Sequence, residues 1–172
     1  MNNKQEKLFE KTLQFYKEEN LKQKDLRFYF YRPTDASEAK KFNKYEKPCD
    51  FWYFDNGFVA IECKYTATEK IMNKVIKQHQ IDSLHHFHKN GSKSYLFLTM
   101  NLIPRQRISK SFTFALDIND YIIFKNAFKK SLFYEKYEDW NGIPIEYKTE
   151  FKVFNLDPIL EQEYHLFGQN NE

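Results

Sequence analysis

The sequence predicts an α/β domain, a mixed sheet flanked by helices in the order α-β-β-β-α-β. Three observations carry that reading: an amphipathic helical stripe at the start, a hairpin pattern around residues 47 to 66, and a helical stretch leading into a continuous apolar run. At 172 residues one domain is expected, with a core over about 5–132 and an extension of the same domain over 133–172. Aromatic residues make up 19% of the chain, which excludes a disordered protein, since disorder needs little apolar surface to bury.

The elements follow in order. Phe9, Leu13 and Tyr16 recur at helical spacing within residues 5–22, widened by Leu8 and Phe15, so this segment is an amphipathic helix. LRFYFYR at 26–32 is a strand by its aromatic density. PTDASEAKKFNKYEKP at 33–48 is polar and bracketed by prolines, an excursion from the core. KPCDFWYFDNGFVAIECKYT then reads as two strands, at about 50–55 and 58–64, around a DNG turn. A second helix is predicted from an N-cap at Thr66 or Thr68 to Lys89, stopping at Asn90-Gly91. SYLFLTM at 94–100 has the continuous apolarity of a strand covered on both faces. Beyond it lie a basic loop PRQRISK, a strand FTFAL, a helix at about 119–132, and Pro158 as the start of a short last helix. The hairpin is antiparallel, and the strand-helix-strand unit from 58 to 100 is a right-handed crossover between parallel strands.

Charge is unevenly spread. From Glu146 onward there are six acids and two lysines, leaving 25 basic against 18 acidic side chains in residues 1–145, a bias that favours a polyanionic partner. The two cysteines, Cys49 and Cys63, lack CxxC spacing and point to a reduced intracellular setting. No apolar leader or membrane-length run is present, so a soluble cytoplasmic protein is expected.

The hairpin poses the chemical question, because strands rarely carry unpaired charge inward. Glu62 and Lys64 share one face of their strand. With a two-residue Asn-Gly loop, Asp50 would face Cys63 and point away from them; with a three-residue loop over 55–57 it lies opposite Glu62. In that second register Cys49 and Cys63 face each other on the back of the hairpin as inert core thiols. Two carboxylates at cross-strand distance repel unless a cation lies between them, and hard oxygen ligands suit Mg²⁺. A lysine beside such an ion orients or deprotonates water, the chemistry of phosphodiester hydrolysis. A strand salt bridge would produce the same triplet, and ExK also occurs at Glu38, Glu146 and Glu150. Gln80 interrupts the apolar stripe Met72, Ile76, Leu84, Phe87 and needs a polar partner, either in this site or in the backbone.

Asp50, Glu62-x-Lys64 and Gln80, in this order of elements, resemble the PD-(D/E)xK nuclease superfamily, and within it the RecU-type Holliday junction resolvases. RPTD at 32–35, residues 49–66, KQHQID at 77–82 and YLFLT at 95–99 carry the likeness. The resemblance implies a restriction-endonuclease-like core in which Asp50 and Glu62, with the Cys63 backbone carbonyl, hold Mg²⁺, or Mn²⁺ as a substitute. It implies that Lys64 positions the attacking water, that Gln80 supports the metal or the phosphate, and that Glu10 adds an acid from the first helix, with Glu6 as competitor. The partner it implies is DNA, in four-way junctions cut by a homodimer during recombination and repair, in a cytoplasmic, nucleoid-associated setting. The sequence departs from the pattern in having Cys49 before Asp50 and a short excursion where such resolvases have a stalk. A restriction- or repair-type nuclease of the same fold, and a silent nucleic-acid-binding module, use the same scaffold.

DNA-contact candidates are Arg32, Thr34, Lys70, Lys74, Lys77, Arg105 and Arg107, together with Lys110; each is otherwise ordinary solvated surface. His79, His85, His86 and His88 read as a solvated helix end rather than a zinc site, for lack of completing ligands.

Overall fold

The computed structural model of the chain describes residues 3–22, 28–33, 48–54, 57–101, 111–128, 132–133 and 138–160. Helix α1 (Asn3–Lys22) is followed by strands β1 (Tyr29–Tyr31), β2 (Phe51–Phe54) and β3 (Phe58–Thr66), the short β4 (Lys70–Ile71), helix α2 (Gln78–Lys89) and β5 (Lys93–Asn101). Then come β6 (Ser111–Asp117), α3 (Ile118–Phe128), β7 (Leu132–Phe133), β8 (Ile143–Pro144), β9 (Tyr147–Lys148) and β10 (Val153–Phe154). The predicted α-β-β-β-α-β order is present, with β4 as a small addition.

Six strands form one mixed sheet in the order β1-β2-β3-β5-β6-β8. Only β3 and β5 run parallel, joined through α2; β1/β2, β2/β3, β5/β6 and β6/β8 are antiparallel. Alternation along the strands separates two cores. On one face Phe51, Ile61 and Phe97 pack against Phe9, Leu13 and Tyr16 of α1 and against Phe154, Leu156 and Ile159 from the chain's last described segment. On the other face Ala60, Leu96, Leu98 and Phe114 meet Ile81 and Leu84 of α2, Ile118 and Tyr121 of α3, and Trp140. The central strand β5 is buried along almost its whole length, as its unbroken apolarity requires.

Helix α2 begins later than the sequence predicts. The stretch after Thr66 is spent differently: β3 itself runs to Thr66 by pairing with Met100, Lys70–Ile71 pairs with β7, and Asn73–Val75 makes a single 3₁₀ turn. Met72 is therefore off the helix and 41% exposed. The predicted stop holds: the Asn90 N–H donates to the His86 carbonyl, and Gly91 takes φ +86°, a left-handed value suited to glycine. Helix α3 ends at Phe128 rather than near 132, because 132–133 are strand. Pro158 lies within a 3₁₀ turn, Asp157–Ile159, as anticipated for a short last helix. Most of the excursion, residues 34–47, and the basic loop 104–110 lie outside the described residues. No helix among the described residues is long and apolar enough to cross a membrane.

Candidate active site at the open edge of strand β3

Phe54 pairs with Phe58 and Phe51 with Ile61, so three residues, 55–57, separate the paired strands, and Asp50 stands where the ladder ends, beside the Glu62 stretch of β3. The pairing then changes character. The Asp50 N–H donates to the Ile61 carbonyl at 3.0 Å, and Asp50 Oδ2 accepts the Cys63 N–H at 2.8 Å. A side chain thus supplies the acceptor that the next residue of β2 would have offered, and β2 begins at Phe51, one residue later than predicted. Strand β3 continues to Thr66, beyond the point where β2 begins, and on that side its last residues have no ladder partner among the described residues. In an extended strand the N–H and C=O of one residue point to the same edge, so the Cys63 carbonyl faces the Asp50 side.

This local break also overturns the expected cysteine geometry. Cys49 and Cys63 lie on opposite faces of the sheet, in different cores, because the chain stops alternating at Asp50. Both thiols are buried, and burial first, with neighbouring carboxylate charge second, pushes Cys49 up to about 12 and Cys63 well above the ordinary thiol range. They are packing residues with little thiolate.

Glu62 and Lys64 project toward α2. Both are buried, at 2% and 8% exposure, and Asp50 is at 6%. Lys64 Nζ lies 2.5 Å from Glu62 Oε1. Gln80 Nε2 donates to the same oxygen, while Gln80 Oε1 accepts the Lys77 N–H at 3.2 Å. Gln80 is the third residue of α2, so its amide fastens the start of the helix to the carboxylate. Of the two readings of this glutamine, a polar partner in the site and a backbone partner, both hold at once.

The first helix closes the other side. A cavity of about 100 Å³ is lined by Gln5 and Glu6 of α1, by Lys64 and Tyr65 of β3, and by Lys77 and Gln80. Glu6, not Glu10, reaches it, and the Glu6 charge contributes to raising the Cys63 thiol. Arg32 spans both acids, 2.9 Å from Glu6 Oε2 and 2.7 Å from Glu10 Oε2, with its guanidinium 5.6 Å from the Phe51 ring centre. Arg32 is therefore engaged with α1 while remaining partly exposed. Lys70, Lys74 and Lys77 are exposed along the approach from β4 to α2. Thr34, Arg105, Arg107 and Lys110 lie outside the described residues.

Two polar lining residues, Gln5 and Tyr65, and the apolar Val75 escaped the sequence reading. Gln5 is 2% exposed and donates to Thr99 Oγ1 at 2.5 Å; Tyr65 accepts from Asn101 Nδ2 at 3.4 Å. Gln5 did carry a signal, because it precedes Phe9 and Leu13 by one and two turns and breaks an apolar stripe just as Gln80 does. Tyr65 carried none, in a chain with 12 tyrosines.

Among the described residues no three His, Cys, Asp or Glu side chains gather as a metal-binding group. The histidines do not converge: His88 Nε2 lies 2.6 Å from Asn119 Nδ2, and His88 Nδ1 is 3.7 Å from Asp117. A cation at the hairpin would be held by two carboxylates, main-chain oxygen and water, a hard donor set that fits Mg²⁺ and does not fit zinc.

No protein-family model matches the chain, and no curated protein does. Among solved structures, the chain is similar to Hjc, a Holliday junction resolvase from the archaeal hyperthermophile Archaeoglobus fulgidus, at 15% identity and a TM-score of 0.43, with 76% of this chain and 93% of that chain covered.

Proposed function

We propose that the chain is a Mg²⁺-dependent DNA endonuclease that cuts four-way junctions in recombination and repair. The observation that carries the reading is the buried Glu62 carboxylate, gripped at one oxygen by Lys64 and Gln80, with Asp50 bound to the N–H of the next residue of β3. A structural salt bridge would be better placed on an exposed face, where ions keep their hydration; burial of two carboxylates is costly unless they do something together.

In this reading Asp50, Glu62 and the Cys63 carbonyl would hold Mg²⁺, and the ion would supply positive charge for the phosphoryl and leaving oxygens. Glu6, at the cavity wall, takes the place foreseen for Glu10 as the additional acid. Lys64 keeps two N–H donors beyond the one directed at Glu62 and orients the attacking water. Gln80 holds Glu62 in one rotamer, so that the carboxylate does not swing away as charge develops. Hydrolysis adds the water oxygen to phosphorus and breaks one ester bond, giving a phosphate and a hydroxyl terminus. Junction resolution requires two such cuts on like strands, which a two-fold homodimer would deliver from two equivalent sites.

The test is cleavage of a labelled four-way junction and a matched linear duplex, with Mg²⁺ or EDTA, by wild type and Lys64→Ala. Paired Mg²⁺-dependent nicks in the junction, lost in the variant, support the full reading. Equal cutting of duplex reduces it to a nuclease without junction preference, and tight binding without cleavage to a binding module.

A further inference from the structure

Three aromatic rings on the β1–β2 margin of the sheet stand in solvent: Tyr29 at 60%, Tyr31 at 46% and Phe54 at 48% exposure. Cross-strand pairing puts Tyr29 opposite Phe54 and Tyr31 opposite Trp52, so all four share one face, while Phe30 and Tyr53 turn to the opposite core. Two residues before Trp52, just outside β2, comes Asp50, whose side chain accepts the Cys63 N–H. The shelf therefore leads toward the proposed site, on the same face as Glu62 and Lys64, where α2 packs over β3 and β5.

The shelf is backed firmly. The Tyr31 ring lies 5.7 Å from Trp52, and Trp52 is itself 5.7 Å from both Phe58 and Phe87. Tyr29 and Tyr31, two residues apart on a strand, are separated by about 6.8 Å, a reach that one extended nucleotide covers. At the outer margin Lys17 Nζ, from α1, lies 5.8 Å from the Tyr29 ring centre and 5.9 Å from that of Phe30, a cation at the edge of the shelf within reach of a phosphate.

We propose that Tyr31 and Tyr29, with Phe54, form a stacking shelf for unpaired bases of the strand that flanks the scissile phosphate. The inference rests on the nuclease reading for its direction and adds a substrate class to it: DNA with unpaired nucleotides beside the cut. Stacking on ring faces is tolerant of base identity, so the shelf selects for strand opening rather than sequence.

The test is binding in EDTA, without cleavage. A splayed DNA carrying 2-aminopurine in its unpaired segment is compared with the same sequence in full duplex, using wild type, Tyr31→Ala, Tyr29→Ala and Tyr31→Phe. Stacking predicts quenching and preference for the unpaired probe, with a loss of about tenfold for each alanine variant and retention in Tyr31→Phe. Equal affinity for the two probes in wild type, or alanine variants that bind the unpaired probe undiminished, overturns the shelf. So does an alanine variant that splits a dimer in sedimentation while keeping its affinity for unpaired DNA, since the rings then belong to a contact between copies. Absence of Mg²⁺-dependent cleavage with the shelf's binding intact removes the nuclease reading alone.

Discussion

Gln80 donates to the same carboxylate oxygen of Glu62 that Lys64 grips, reaching it from the first turn of α2 while its own carbonyl oxygen accepts the Lys77 N–H. The side chain thus belongs to the helix start and to the site together. Gln80→Ala loses both contacts and is expected to destabilise the fold by about 1 kcal/mol, the usual worth of a helix-start bond. Gln80→Glu keeps an acceptor for Lys77 but sets a second carboxylate against Glu62. In the folded variant such a pair holds a proton more tightly than the unfolded chain does, so stability falls as pH rises from about 4. Urea melts of metal-free protein at pH 4.5 and 7.5 check this: the loss relative to wild type must grow with pH more steeply for the glutamate variant than for the alanine, which gives up only a hydrogen bond to the carboxylate.

Breaking the buried ion pair from one side should hurt more than removing it whole. Lys64→Met leaves the Glu62 carboxylate at 2% exposure without its ammonium, which predicts a loss of about 3–5 kcal/mol at neutral pH. The double variant Glu62→Gln/Lys64→Met should recover most of that, because no uncompensated ion remains. Denaturant midpoints of the two single variants and the double variant close the cycle; additive losses would mean that the two groups do not act as a pair.

These energetics bear on what the sequence could convey. The hairpin register was legible because the alternatives were few: two loop lengths, of which one brought Asp50 to Glu62. The site's glutamine was legible because it broke an apolar period. The onset of α2 was not, since residues 66–77 fit a helical period and only the distant partner strand β7 draws Lys70–Ile71 into a ladder. The placing of Cys49 was lost for a related reason. Alternation predicts its face only while backbone pairs with backbone, and at Asp50 a side chain takes the bond instead. Which of Glu6 and Glu10 lines the cavity depends on where α1 crosses the sheet, information that no local pattern holds.

The thiols give an alkaline signature. Burial pushes the Cys49 thiol up to about 12, whereas an unfolded thiol ionises near about 8.5. Between those values the unfolded chain has lost a proton that the folded chain retains, so this group's contribution to stability declines with pH, by about 1.4 kcal/mol per unit at full effect. Cys49→Ala costs stability at pH 7 through lost packing but should flatten the decline above pH 8.5 by one proton's worth. Buried tyrosines titrate in both proteins and cancel in the comparison. Melts at pH 7, 9 and 10 read the difference in slope, and parallel slopes would mean that the Cys49 thiol ionises as freely folded as unfolded.

Tyr16 ties the first helix to the last described segment. Its phenol oxygen accepts the Leu156 N–H at 2.8 Å and lies 3.1 Å from Asp157 Oδ1 and 3.2 Å from Asn155 Oδ1, so its own proton has an acceptor on the same turn. Leu156 is fully buried, and its N–H has no water to turn to if the phenol oxygen is removed. Tyr16→Phe keeps the ring packed on Phe28 and deletes only that oxygen, which predicts a loss of about 1–3 kcal/mol, with a fall in Tm of about 2–4 °C per kcal/mol for a chain of this size. The effect should be local as well as global. Hydrogen exchange at Leu156 is expected to accelerate beyond the change in global stability, while Ile61 and Phe97 in the sheet follow the global change only. An unchanged Tm together with unchanged exchange at Leu156 would show that the segment after β10 is held to α1 by apolar packing alone.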